Sequence, residues 1–161
     1  MIRQVKHAAP AVLLAALALA GCGGDIDPAT TPAGRAQVEY LDDLYNGRFG
    51  PAYAALHPLH KQIVSRAQFS DCAAATIPVG QLDSIEVLDV FEDPVQVSGI
   101  GASPRAPVEQ PAKAVRVRLT STDGKRITDE NHEVKVGDRW YWILNDSAIR
   151  SYTAGRCPDG A

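Results

Sequence analysis

The sequence predicts an α+β domain in which N-terminal helices pack on an antiparallel sheet of about four strands. Three observations carry this. Apolar residues recur at helical spacing between Thr31 and Cys72, and from Ile85 onward they alternate instead. The alternating runs are joined by turn dipeptides, which connect antiparallel neighbours. Helices first and a meander afterwards is the order of an α+β domain rather than of repeated βαβ units.

Thr31-Pro32 starts the first helix, with Thr as N-cap and Pro at the first helical position. Val38, Leu41, Leu44 and Tyr45 follow at helical spacing, and Asn46-Gly47 supplies a left-handed stop. A second helix opens near Pro51 and presents Phe49, Tyr53 and Leu56. His57-Pro58 ends it, because a proline drives the residue before it out of the helical region. Ser65-Arg66-Ala67-Gln68 has the form of a capping box for a short third helix, placing Phe69 and Cys72 on one face.

The period then changes. Ile85 to Phe91 reads as a strand apolar on most of both faces. Residues 94–112 hold four prolines and two glycines, a long irregular connection with room for a short strand at Val95-Gln96-Val97. Val115, Val117 and Leu119 alternate with Arg116, Arg118 and Thr120 in a half-buried strand. Asp123-Gly124 is a hairpin signal, Ile127 to Val136 returns, Gly137-Asp138 turns again, and Arg139 to Leu144 forms the last strand. The tail carries Cys157 back toward the helical layer.

Residues 1–21 have the three parts of a secretory signal. Arg3 and Lys6 supply the positive end, and Ala8 to Ala20 is an apolar run broken by Pro10. The run is too short and alanine-rich for a permanent span, which needs about 20 apolar residues. It ends in Leu19-Ala20-Gly21-Cys22, which resembles the lipobox of bacterial lipoproteins. That resemblance implies cleavage before Cys22, diacylglycerol on its thiol, and attachment to a cell membrane on the extracytoplasmic face. Each buried methylene of such an anchor contributes about 0.8 kcal/mol. Residues 22–32 then read as a flexible tether with a reach of up to about 30 Å, and residues 33–161 as a single domain.

The chain has three cysteines, an odd number for an oxidising compartment. Lipidation of Cys22 leaves Cys72 and Cys157, which are expected to form a disulfide worth about 4–5 kcal/mol by loop-closure entropy. Neither lies in a Cys-x-x-Cys motif, so a redox-active or metal-binding pair is the weaker reading. The 161-residue chain carries a net charge of −3, and without residues 1–21 it has 14 basic and 19 acidic residues. That balance gives no support to nucleic-acid binding, which needs a concentrated basic face. Arg116, Arg118, Lys125 and Arg126 alternate with valines as on a solvated sheet face.

The order of elements, with the segments Val38 to Gly47, Tyr53 to Pro58 and Gly137 to Trp142, resembles the nuclear transport factor 2-like (cystatin-like) fold. In that fold helices pack into a strongly curved sheet to form a cone with a pocket. With its Cys after the helices and its Gly155-Arg156-Cys157-Pro158 end, the chain is also similar to secreted actinobacterial lipoproteins. The fold hosts enzymes, binding modules and adaptors alike, so the resemblance speaks to architecture.

Enzymes of the fold, ketosteroid isomerase-like and polyketide cyclase-like, use an acid or histidine in the cone with a Tyr or Asp donor opposite. The resemblance therefore nominates Tyr40, Tyr53, His57, His60 and Asp89 as pocket candidates, though no motif marks any of them as catalytic. Asp89 lies between Leu88 and Val90, and a strand edge or bulge is the preferred account of it. His57 and His60 are three apart, but Pro58 breaks their helical register and no third metal ligand is evident, so neither metal nor cofactor is expected. Asn145-Asp146-Ser147 fits a glycosylation pattern without weight in a bacterial protein. Trp140 and Trp142 share one face of the last strand, with Tyr141 and Ile143 on the other. One of these faces lines the core or pocket, and the other is a candidate surface for a protein partner or a homodimer. The preferred function is a non-catalytic, membrane-anchored module binding a small apolar ligand or a protein. The alternative is an enzyme using the acid or histidine in the cone.

Overall fold

The computed structural model describes residues 27–97 and 108–158, so residues 1–26, Cys22 among them, and Gly99 and Gly101 lie outside the described residues. It shows the α+β order. Helices α1 (Pro32–Tyr45), α2 (Phe49–Ala54) and α3 (Arg66–Thr76) precede strands β1 (Leu82–Glu92), β2 (Val95–Val97), β3 (Val108–Gln110), β4 (Ala112–Ser121), β5 (Arg126–Val136) and β6 (Arg139–Trp142). A final helix, α4 (Asp146–Thr153), closes the chain. The main sheet is antiparallel throughout, in the order β1-β4-β5-β6, and β2 pairs with β3 in a separate two-stranded ribbon.

The helix starts follow their caps. The Thr31 hydroxyl accepts from the Gly34 N–H at 3.0 Å, and the Ser65 hydroxyl accepts from the Gln68 N–H at 3.2 Å. The capping box at α3 is half used, because the Gln68 side chain donates instead to the Tyr152 carbonyl at 3.3 Å. Gly47, at φ +73°, turns the chain out of α1 as a left-handed residue must. Helix α2 is shorter than its apolar spacing suggests, and Leu56 lies beyond it in a parallel bridge to Trp142.

Two segments differ from the sequence reading. The last strand stops at Trp142 rather than Leu144, and α4 follows it. The glycosylation-like triplet is the start of that helix: Asn145 is the N-cap, its side-chain oxygen accepting from the Ala148 N–H at 2.8 Å. Residues 28–30, assigned to the tether by composition, form a 3₁₀ turn whose Ala29 packs on the core.

The core lies between the helices and the inner face of the sheet. Val87, Val115, Val117 and Leu119 meet Leu41, Leu44, Leu56, Phe69 and Trp142 there, at about 1.5–3 kcal/mol for each large side chain fully buried. The outer face is polar toward the β4–β5 turn, with Arg118 paired to Glu86 and Arg116 to Glu130 at 2.7 and 2.9 Å. The basic residues of β4 are thus neutralised in place. At the other end of that face Ala112 and Val134 are buried in a second small core with Val97 of β2. Cys72 of α3 is disulfide-bonded to Cys157, whose loop spans 85 residues. Among the described residues no helix is long and apolar enough to cross a membrane.

Gly34 is required by a close approach. A Cβ built there would lie 2.2 Å from the Pro28 carbonyl oxygen, backbone that cannot move without dislodging the 3₁₀ turn. Gly34→Ala is therefore expected to destabilise the domain by about 1–3 kcal/mol in urea unfolding, although Ala is intrinsically the better helix former by about 1 kcal/mol.

Candidate functional site

Strand β5 sits in the sheet interior, between β4 and β6, yet its sequence has no apolar face. Register explains this. Ile127, Asp129, Asn131 and Glu133 lie opposite Leu119, Val117, Val115 and Lys113 of β4, and opposed residues share a face. Glu133 also lies opposite Trp142, which faces the helices. The polar residues of β5 therefore point inward, and an inner face lined this way faces a cavity.

That cavity has a volume of about 830 Å³ and is bounded by α1, α3, α4 and the inner sheet face. Aromatic side chains dominate its inner wall. Tyr40 of α1 stacks on Trp142 at 4.3 Å between ring centroids, and Phe69 of α3 tilts against the same indole at 5.8 Å. Tyr45 and Tyr152 complete the ring of aromatic residues, while Ile77, Leu82 and Ile127 lie nearer the β4–β5 turn. Burial, joined by the neighbouring Tyr152, Glu133 and Asp129, pushes the Tyr40 phenol far above its ordinary range. Burial also raises Tyr45 and Tyr152. All three are neutral hydroxyls at physiological pH, able to donate or accept.

Asp129 is the charged side chain set inside the cavity wall. Its Oδ2 accepts from the Asn131 amide at 3.0 Å and its Oδ1 from the Glu130 N–H at 2.9 Å. Asp123 and Lys125 also line the cavity, but in the β4–β5 turn, where Asp123 accepts from the Ser121 hydroxyl and the Lys125 N–H.

Glu133 and Gln37 lie fully buried outside the cavity lining, and no atom of either side chain's polar group has a hydrogen-bond partner among the described residues. Desolvation holds the Glu133 carboxyl well above the ordinary carboxylate range.

The sequence-nominated residues divide. Tyr40 and Trp142 line the cavity. Tyr53 does not; its hydroxyl donates to the Val64 carbonyl at 3.0 Å and pins the segment between α2 and α3. His57 and His60 are buried in that segment, where His60 Nδ1 accepts from the Leu144 N–H at 2.9 Å and His57 Nδ1 from the Leu59 N–H at 3.2 Å. Burial lowers both rings below the usual histidine range, His60 to about 4. Asp89 is exposed at a β-bulge in β1, accepting from the Val90 N–H, and lies outside the cavity lining. Trp140 borders a smaller cleft with α1 and α2, of about 410 Å³. Tyr141 is flanked by the Lys61 and Arg139 cations at 5.7 and 5.3 Å, so it forms no open aromatic face. Among the described residues no group of three His, Cys, Asp or Glu side chains could hold a metal ion.

Asp129, Glu133, Gln37, Tyr45 and Tyr152 were not picked out from sequence. The available signal was β5 itself, an interior strand with no apolar alternation.

No family model and no curated protein matches the chain. Among solved structures it is similar to a chain from Campylobacter jejuni provisionally assigned as an NTF2-like transpeptidase. The two share 14% identity at a TM-score of 0.38, over 69% of this chain and 97% of that one.

Glu133 and the histidines act on stability with opposite signs. Glu133 has a folded pKa raised above its unfolded 4.5, so its contribution is lost as pH rises above about 4.5, by up to about 1.4 kcal/mol per pH unit. His60 has a folded pKa lowered from 6.5 to about 4, so stability falls as pH drops through that window. Glu133→Gln should make the melting temperature climb from pH 4 to 6.5 and stay level to pH 8. His60→Asn, which can still accept from Leu144, should instead make it fall from pH 4.5 upward.

Proposed function

We propose that the chain is a lipid-anchored, extracytoplasmic binding protein that takes a small, largely apolar ligand into the cavity between its helices and its sheet. The observation that carries this is the cavity itself: about 830 Å³, within the size range of small-molecule sites, with aromatic walls and a few convergent polar groups. Protein interiors are close-packed as a rule, so a space of this size set against Tyr40, Phe69 and Trp142 reads as a built feature rather than a packing fault.

The address rests on Leu19-Ala20-Gly21-Cys22 after a short apolar run, and it agrees with a disulfide between the two remaining cysteines. Two acyl chains on Cys22 would hold the cavity within a tether's length of a membrane, where apolar molecules concentrate. The rival reading as an isomerase- or cyclase-like enzyme rested on Asp89 or His57 inside the cone. Both lie outside the cavity lining, which favours binding over that chemistry.

Two measurements test the proposal. Mass spectrometry of the membrane fraction should find the chain beginning at a diacylated Cys22, with Cys22→Ser moving the protein to the soluble fraction. An intact residue 1–21 segment on the mature protein would overturn the address. In the second, Nile red, a neutral solvatochromic dye, should bind with a blue-shifted emission. Ala148→Trp, which puts an indole into the cavity from α4, should weaken it at least tenfold with the melting temperature within a few degrees. Undiminished dye binding would overturn the cavity.

A further inference from the structure

We infer that the cavity selects an organic ammonium cation: a ligand with an apolar body and one positive charge, held between Asp129 and the aromatic wall. This rests on the binding function proposed above and names its ligand class.

The charge census of the lining comes first. Among some two dozen described residues that line the cavity, Asp123, Lys125 and Asp129 alone carry formal charge. Asp123 and Lys125 belong to one exposed turn and offset one another. Asp129 has no salt-bridge partner among the described residues; its oxygens accept only from the Asn131 amide and the Glu130 N–H. A carboxylate offers about four acceptor positions, so two remain. Glu133, on the same face of β5, is buried outside the cavity lining and adds no second charge to its wall.

The wall opposite is aromatic. Tyr40 and Tyr45 on α1 stand close enough to Asp129 for its charge to raise both phenols. With Phe69, Trp142 and Tyr152 they bring five rings to one cavity. Ring faces are electron-rich and attract cations, ammonium groups above all. The two halves of the site therefore ask for the same sign of charge.

The alternatives fit worse. An anion would bring a second negative charge beside Asp129, and the cavity's single cation, Lys125, sits out in the turn. A neutral apolar ligand would strip water from Asp129 and return no partner, which is costly for a charged group. An ammonium ligand replaces that water with a charge, while its apolar body covers Ile77, Leu82 and Ile127.

Displacement of Nile red by three probes of similar size tests this on the full-length mature protein: benzyltrimethylammonium, benzyl alcohol and benzylsulfonate. The ammonium is expected to bind at least tenfold more tightly than either, and Asp129→Asn should bring it down to the level of benzyl alcohol. Because the comparison is made within each variant, loss of fold would remove all three and cannot imitate loss of preference. Equal affinities for the three probes, or a preference that survives Asp129→Asn, would overturn the inference while Nile red binding leaves the cavity standing. Failure of the dye itself would remove both. Competition by phosphatidylcholine vesicles, with phosphatidylglycerol vesicles as control, separates a lipid headgroup from a free ammonium as the source.

Discussion

The indole N–H of Trp142 donates to the Ala52 carbonyl at 3.0 Å in the buried interior, and nearly every other element meets at that ring. Its face stacks on Tyr40 of α1, Phe69 of α3 tilts against it, and its backbone is bridged to the residues after α2. The His57 N–H donates to its carbonyl at 2.9 Å, and its own N–H donates to the Ala55 carbonyl at 3.2 Å. One residue of an edge strand thus fixes three helices against the sheet. Because the helices are held at β6, they can stand away from β5, and the space that remains is the cavity.

Keeping that space has a cost visible in the polar interior. Glu133 and Gln37 are buried without partners, which a chain selected for stability alone would replace with apolar residues of like volume. Their setting beside the cavity, on β5 and α1, is where a protein gives up stability for the character of a site. The outer sheet face carries no such cost. Its ion pairs are exposed and each contributes little to stability.

Much of the architecture was legible in the sequence because it is written in local chemistry. Thr31-Pro32, Ser65, Gly47 and Asp123-Gly124 each act through their own backbone within a few residues, and each marks an element boundary. Helix α4 was missed because Asn145-Asp146-Ser147 also matches a glycosylation pattern and the helix runs for only eight residues, although Ala148, Ile149 and Tyr152 turn an apolar stripe to the core. The site was less legible. Tyr40 was nominated by the family resemblance, and Trp142 because alternating aromatic residues on the last strand announce a packed face. Asp129 and Glu133 were not, because nothing within β5 tells inside from outside; that is decided by pairing with β4 and β6, far along the chain. Asp89 was nominated on its apolar neighbours, but the bulge between Val87 and Asp89 shifts the phase and leaves it facing water.

The bond between Cys72 and Cys157 joins the helix that carries Phe69 and Ala73 to the tail behind α4, so two walls of the cavity are parts of one covalent ring. In reducing surroundings those walls would be held together by apolar contacts and the hydrogen bond from Gln68 to the Tyr152 carbonyl. The disulfide is therefore a covalent latch between those walls. With the bond reduced the cavity would be an unlatched container; with it closed, the spacing of its two walls is fixed covalently.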